Sequence, residues 1–187
     1  MDEKDVSPVA ESVYLNDYFN FNPKSNKTED KVFGCKAILT NEEFWDAMQD
    51  GLYDTLNEGW SVILFQMGLK YGSSVGERAR ESVQDVQHAV KFLESYGLMA
   101  GWGRFKTAPF SLSEGKLAND LRVTVEDNFF AGTGKKKKWE TPRCFFVSGL
   151  LAGIAEGLLG EGHNCIETKC MASGAHACEF LITRRNG

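Results

Sequence analysis

The stretch Cys144–Arg184, CFFVSGLLAGIAEGLLGEGHNCIETKCMASGAHACEFLITR, decides how this chain is read. Its first half is a long apolar run with Gly149, Gly153 and Gly157 four residues apart, and it predicts a helix from Cys144 to Leu159. Its second half holds two strand candidates, HNCIETK and ACEFLITR, joined by the Gly-containing turn ASGAHA. Four donors run through it as C-x22-E-x2-C-x7-C: Cys144, Glu167, Cys170 and Cys178. Three thiolates and a carboxylate suit a divalent metal, and soft sulfur favours zinc over magnesium or calcium. Four protein donors close a zinc shell, which marks a structural rather than a catalytic metal. The alternative is a set of buried free cysteines. His176, between Cys170 and Cys178, and Cys165, on the strand face of Glu167, are alternative partners for the three sulfurs.

The block Cys144-Phe-Phe-Val-Ser-Gly-Leu-Leu-Ala-Gly, the Glu-x-x-Cys at Glu167–Cys170 and the closing Cys178-Glu-Phe together resemble the 4-vinyl reductase domain family. That family includes ligand-sensing domains of phenol- and xylene-responsive bacterial activators, and archaeal proteins described as hydrocarbon-binding. The resemblance implies a zinc site on Cys144, Glu167, Cys170 and Cys178. It also implies an α+β fold, an antiparallel sheet covered by helices like the small subunits of vesicle-tethering complexes, and a homodimer. It further implies a small apolar or aromatic ligand. Ser148 and Ile154 stand where the phenol sensors tend to carry tyrosines, so phenol itself is not carried over. The family name brings a second reading, a tetrapyrrole-related accessory or vinyl reductase component. A third is an interaction module whose cavity is filled by side chains or a lipid.

Composition limits the remaining classes. The chain has 187 residues, 42% hydrophobic and 12% aromatic, enough for one buried core. A net charge of -5 argues against a general nucleic-acid surface. The run Lys135–Lys138 reads as a solvated loop. Five cysteines form no disulfide framework, the start MDEKDVSP has no signal-peptide pattern, and no apolar run reaches membrane-span length. The expected setting is a reducing cytoplasm, with no membrane and no direct nucleic-acid contact.

Residues 1–30 read as a polar tail, disordered or docked through Tyr14, Tyr18, Phe19 and Phe21, and residues 31–187 as the ligand-binding domain. Thr40 and Glu43 form a capping box opening a helix to about Leu56, with Phe44, Met48, Leu52 and Leu56 on its core face. A second helix from about Trp60 carries Gly68, Gly72 and Gly76, a pattern for close helix packing. A third, near Val83–Tyr96, presents Val83, Val86, Val90 and Leu93 and is expected to stop at Gly97. MAGWGRFK and LRVTVED read as strands, the latter with Leu121, Val123 and Val125 on one face. Gly149, Gly153 and Gly157 are expected to leave room against the sheet for a ligand pocket lined by Leu121, Val123, Ser148 and Ile154. The sequence has no HExxH, nucleophile elbow or dinucleotide-binding motif, so it predicts a sensor or carrier and not an enzyme. A separate output protein would then read the ligand state. Glu156 is the nearest acidic candidate on the pocket helix should catalysis occur.

Overall fold

The computed structural model describes residues 15–83, 85–132 and 141–185. The Lys135–Lys138 run, Tyr14 and most of the expected tail lie outside them. The chain divides into two compact units, residues 1–39 and 40–187, so the division falls after residue 39 rather than residue 30.

In the first unit a helical turn α1 (Leu15–Tyr18) leads into an antiparallel meander, β1 (Phe19–Asn22), β2 (Lys27–Asp30) and β3 (Cys35–Ala37). The β1–β2 turn is closed by Asn22, whose side-chain oxygen accepts the backbone N–H groups of Lys24 and Ser25 at 3.0 and 3.3 Å. Asp30 does the same for Val32 and Phe33 at 2.9 and 3.0 Å. These are short-range polar devices of the kind Asn and Asp supply at turns.

The second unit is α+β. Three helices come first, α2 (Glu42–Leu56), α3 (Gly59–Ser82) and α4 (Val86–Met99). Then follow β4 (Arg104–Thr107), the two-residue hairpin strands β5 (Leu112–Ser113) and β6 (Lys116–Leu117), and β7 (Leu121–Glu126). The apolar helix α5 (Phe145–Leu159) precedes β8 (His163–Lys169) and β9 (Cys178–Arg184). The main sheet is antiparallel in the order β4-β7-β9-β8. Leu121, Val123 and Val125 of β7 and Cys178, Phe180 and Ile182 of β9 point into the core. The opposite face carries ion pairs, Lys106–Glu126 at 2.8 Å and Lys169–Glu179 at 2.8 Å. Helices therefore cover one face of the sheet. No helix among the described residues is long and apolar enough to cross a membrane.

The tightest packing in the core is between α3 and α5. A Cβ built on Gly68, Gly72 or Gly76 would collide with the α5 backbone at Phe146, Leu150 and Ile154. One built on Gly149, Gly153 or Gly157 would collide with the α3 backbone at Phe65, Leu69 and Ser73. Two stripes of small residues thus bring the helix backbones into direct contact, a geometry any side chain would prevent. The α3 stripe acts as expected, but the α5 stripe does not leave space against the sheet: it is filled by α3.

Three local expectations change. The N-cap of α2 is Asn41, whose side chain accepts the Phe44 N–H at 2.9 Å, and not Thr40. Its buried side is Trp45 and Gln49, one residue on from the expected stripe, and Phe44 and Leu56 are exposed. Both inward side chains donate to the Phe130 carbonyl, at 3.2 and 3.3 Å, which fixes the helix rotation. Gly97 lies inside α4, because its bare backbone accommodates the Phe105 ring, and the helix runs on to Met99.

Candidate functional site

Each donor of the C-x22-E-x2-C-x7-C set sits where an element begins, ends or breaks register. Cys144 is the N-cap residue of α5. Glu167 lies at a register shift in β8, between Glu167 and Lys169, where a bulge re-aims side chains. Cys170 ends that strand region and opens a 3-10 turn, Met171–Ser173. The Cys170 carbonyl accepts from the N–H groups of Ser173 and Ala175 at 3.1 Å each, folding the chain back to Cys178 at the start of β9. The donor atoms of all four residues lie within 4.8 Å of one another, an arrangement that can hold a metal ion.

The sulfur of Cys144 lies 3.7 Å from that of Cys170 and 3.9 Å from that of Cys178, and all three cysteines are buried. Glu167 Oε2 accepts the Cys144 N–H at 2.8 Å, while its buried Oε1 has no hydrogen-bond partner. Such an orphaned acceptor is costly unless a cation or donor meets it. Two N–H groups point at sulfurs, Asn128 Nδ2 to Cys144 at 3.5 Å and the Met171 amide to Cys178 at 3.3 Å. Hydrogen bonds of this kind support thiolates.

The protein places more anionic groups here than it can charge by itself. The Cys144 thiol, donating toward the sulfurs of Cys170 and Cys178, is held well above its usual range. Cys170, which receives the hydrogen bonds of Cys144 and Cys178, is held well below it. At Cys178 the Cys144 hydrogen bond pulls down but is outweighed by Cys170 and by burial, and the thiol is pushed up to about 12. Burial, then the charge on Cys170, pushes the Glu167 carboxyl up to about 8. One negative charge is thus shared on Cys170 while protons remain on the other three. Arg143, next in sequence to Cys144, is the one buried Arg or Lys among the described residues. Its guanidinium lies 5.9 Å from the Trp60 ring centroid. Neither alternative ligand joins the cluster: His176 is exposed, and Cys165 is buried with its thiol raised by burial but stands outside the set.

A second feature lies between the helices and the sheet. An apolar cavity of about 80 Å³ is lined from α4 by Val86, Val90 and Leu93, from the sheet by Phe105, Leu121 and Val123, and from α5 by Leu150 and Ile154. Three of the four expected pocket residues, Leu121, Val123 and Ile154, line it. Ser148 is buried but is not among the lining residues. Glu156 is not among them either. Sequence reasoning missed Asn128 and Arg143 beside the metal ligands. Arg143 had a faint signal, a charge directly before a ligand, and Asn128 had none.

Residues 121–184 match the family model of the 4-vinyl reductase domain. An uncharacterized protein of Methanocaldococcus jannaschii is 45% identical over 42 residues, which span 22% of this chain and 24% of that protein. The match thus covers about a quarter of the relative's length. Among solved structures, the phenol-responsive sensory domain of the transcription activator PoxR, bound to phenol, is similar over 91% of this chain and 86% of its own, with a TM-score of 0.79 and 19% identity. A vinyl-4-reductase family protein from M. jannaschii is similar over 80% of this chain and 85% of its own, with a TM-score of 0.56 and 14% identity. A trafficking protein particle complex subunit 3 from Naegleria fowleri, covalently bound to palmitic acid, is similar over 78% of this chain and 93% of its own, with a TM-score of 0.56 and 11% identity. At these identities the likenesses establish the fold. It is the expected one, an antiparallel sheet covered by helices and shared with tethering-complex subunits.

Proposed function

With residues 121–184 forming a 4-vinyl reductase domain, we propose that this chain is a zinc-stabilised domain that binds a small apolar or aromatic molecule. It acts as a sensor or carrier rather than a catalyst. The observation that carries the proposal is the apolar cavity between α4, α5 and the sheet, in the fold of a phenol-responsive sensory domain. Ligand entry would favour one packing of α4 against the sheet, and a separate output protein would read that population shift.

Zinc is the metal the donor set favours. Zinc–sulfur bonds of about 2.3 Å in a tetrahedron set sulfur–sulfur edges of about 3.8 Å, and the two sulfur separations here are 3.7 and 3.9 Å. Cys144, Cys170 and Cys178 would bind through sulfur and Glu167 through Oε1, the oxygen left without a partner. When bound, the ion supplies charge compensation and cross-linking. The chain's own part is to tie the start of α5 to the β8–β9 connection, with Asn128 and the Met171 amide holding two sulfurs in place. A reducing cytoplasm is the compartment that keeps such a thiolate set intact.

Binding without turnover is supported by the chemistry of the buried groups. Cys165, whose thiol is raised by burial, is a poor nucleophile, and Glu156 does not line the cavity. A homodimer is supported by the row Ile63, Met67 and Tyr71, exposed along one side of α3. Native mass spectrometry of freshly purified protein tests the proposal. It should report one zinc per chain, a dimer and a co-purified neutral ligand. Ile154→Trp should abolish ligand uptake without unfolding the protein, and unchanged uptake in a folded variant would place the site elsewhere.

A further inference from the structure

The cavity wall is apolar but for a few groups, and among its lining residues Glu94 alone carries a formal charge. Its side chain is 15% exposed and rigidly held: Lys91 Nζ donates to Oε2 at 2.7 Å, and the Thr107 backbone N–H donates to Oε1 at 2.6 Å. Thr107 lines the cavity as well, so the α4–β4 seam that anchors the carboxylate is also part of the wall. The carboxylate therefore cannot swing out to solvent without breaking a short backbone hydrogen bond.

Building on the cavity as the ligand site, we infer that Glu94 determines its specificity. It admits neutral single-ring molecules, favours those with a hydroxyl, and rejects carboxylates. Size sets the first limit. A cavity of about 80 Å³ is roughly half of an engineered 150 Å³ cavity that takes benzene, so one ring with a small substituent is the upper bound. Charge sets the second. A ligand carboxylate within about 5 Å of Glu94 meets a like charge where the low local dielectric screens it poorly. A hydroxyl, in contrast, can donate to a carboxylate, which has lone pairs beyond those taken by Lys91 and Thr107. The rule excludes free fatty acids and aromatic acids while keeping hydrocarbons and phenol- or benzyl-alcohol-like molecules.

The test is calorimetric titration of the full metal-loaded chain at neutral pH with three probes of one ring size: toluene, benzyl alcohol and benzoate. Toluene and benzyl alcohol should bind, the alcohol more tightly, and benzoate should bind at least tenfold more weakly than toluene. Glu94→Gln, which keeps an acceptor for Thr107, should raise benzoate affinity at least tenfold and leave toluene within twofold. Lys91 is 70% exposed and safe to replace; Lys91→Ala should weaken benzoate further, by at least threefold, because it removes the compensating cation. Benzoate binding as tightly as toluene, or benzoate affinity unmoved in both variants, overturns the role of Glu94 and leaves the cavity as the ligand site. Failure of toluene itself to bind overturns the cavity reading, and this inference with it.

Discussion

Replacing Gly153 by alanine sets two effects of opposite sign against each other. Helix propensity alone makes Gly→Ala in a helix interior stabilising by about 1 kcal/mol. At Gly153, however, the new Cβ would lie 2.6 Å from the Ser73 nitrogen and 3.0 Å from the Gly72 carbonyl carbon, and against the Leu69 carbonyl oxygen. Non-bonded carbon contacts are comfortable at about 3.5–4.0 Å. All three neighbours are backbone, so no side chain can rotate away, and α3 and α5 must separate by roughly 1 Å. Overpacking of this kind costs about 1–3 kcal/mol, and with only backbone to move the upper end applies. The net expectation is a loss of about 2 kcal/mol, or about 4–8 °C in Tm for a chain of this size. Gly51 of α2 is the internal control, since a Cβ there meets nothing within 4 Å. Gly51→Ala should gain up to about 1 kcal/mol. Urea unfolding followed by far-ultraviolet circular dichroism, on metal-loaded protein, measures both. Gly153→Ala as stable as the parent, or more so, would refute the reasoning that backbone contact holds these helices together.

Other expectations follow from single contacts. Asn128→Leu, which removes the N–H donor to the Cys144 sulfur, should weaken metal binding by about 10-fold or more in chelator competition, because outer hydrogen bonds set ligand geometry. In the metal-free fold Cys144, Cys178 and Glu167 hold their protons above their usual ranges, so metal must displace protons. The apparent metal affinity should then rise with pH across the neutral range, by roughly tenfold per unit for each proton released, and metal-conferred stability should be lost as pH falls. Titrations in two buffers of different ionisation enthalpy would count those protons, and a pH-independent affinity would contradict the assignment. Asn41→Ala should cost about 1 kcal/mol in thermal unfolding while Thr40→Ala leaves stability nearly unchanged, since the cap bond comes from Asn41.

Much of the second unit was legible because its signals are local. Strict alternation in LRVTVED put Leu121, Val123 and Val125 on the buried face, and the two strand candidates after α5 appeared with the expected register of donors. The ligand spacing was readable because a metal needs few residues of unusual type. What escaped depends on partners far away in sequence. Four-residue glycine spacing declares a smooth helix face, but nothing in α5 says that α3 rather than a ligand will lie on it. Almost all of α5 is buried, so periodicity cannot tell which side of it meets a cavity, and Ser148 was assigned to the wrong one. The rotation of α2 is set by two hydrogen bonds to Phe130, over 80 residues away, which outweigh the exposure of Phe44. Adjacent Thr40 and Asn41 are both good caps, and only the backbone path decides between them. Glu94 and Asn128 carry no motif; they matter because the fold brings them to a cavity wall and to a sulfur.

The most direct test of the zinc-stabilised domain is X-ray absorption at the zinc edge on protein purified without added metal. Stoichiometric zinc with three sulfurs at about 2.3 Å and one oxygen at about 2.0–2.2 Å is the expected shell, supplied by Cys144, Cys170, Cys178 and Glu167. A protein that is folded without stoichiometric metal, or one whose zinc has a four-sulfur or nitrogen-containing shell, would contradict it.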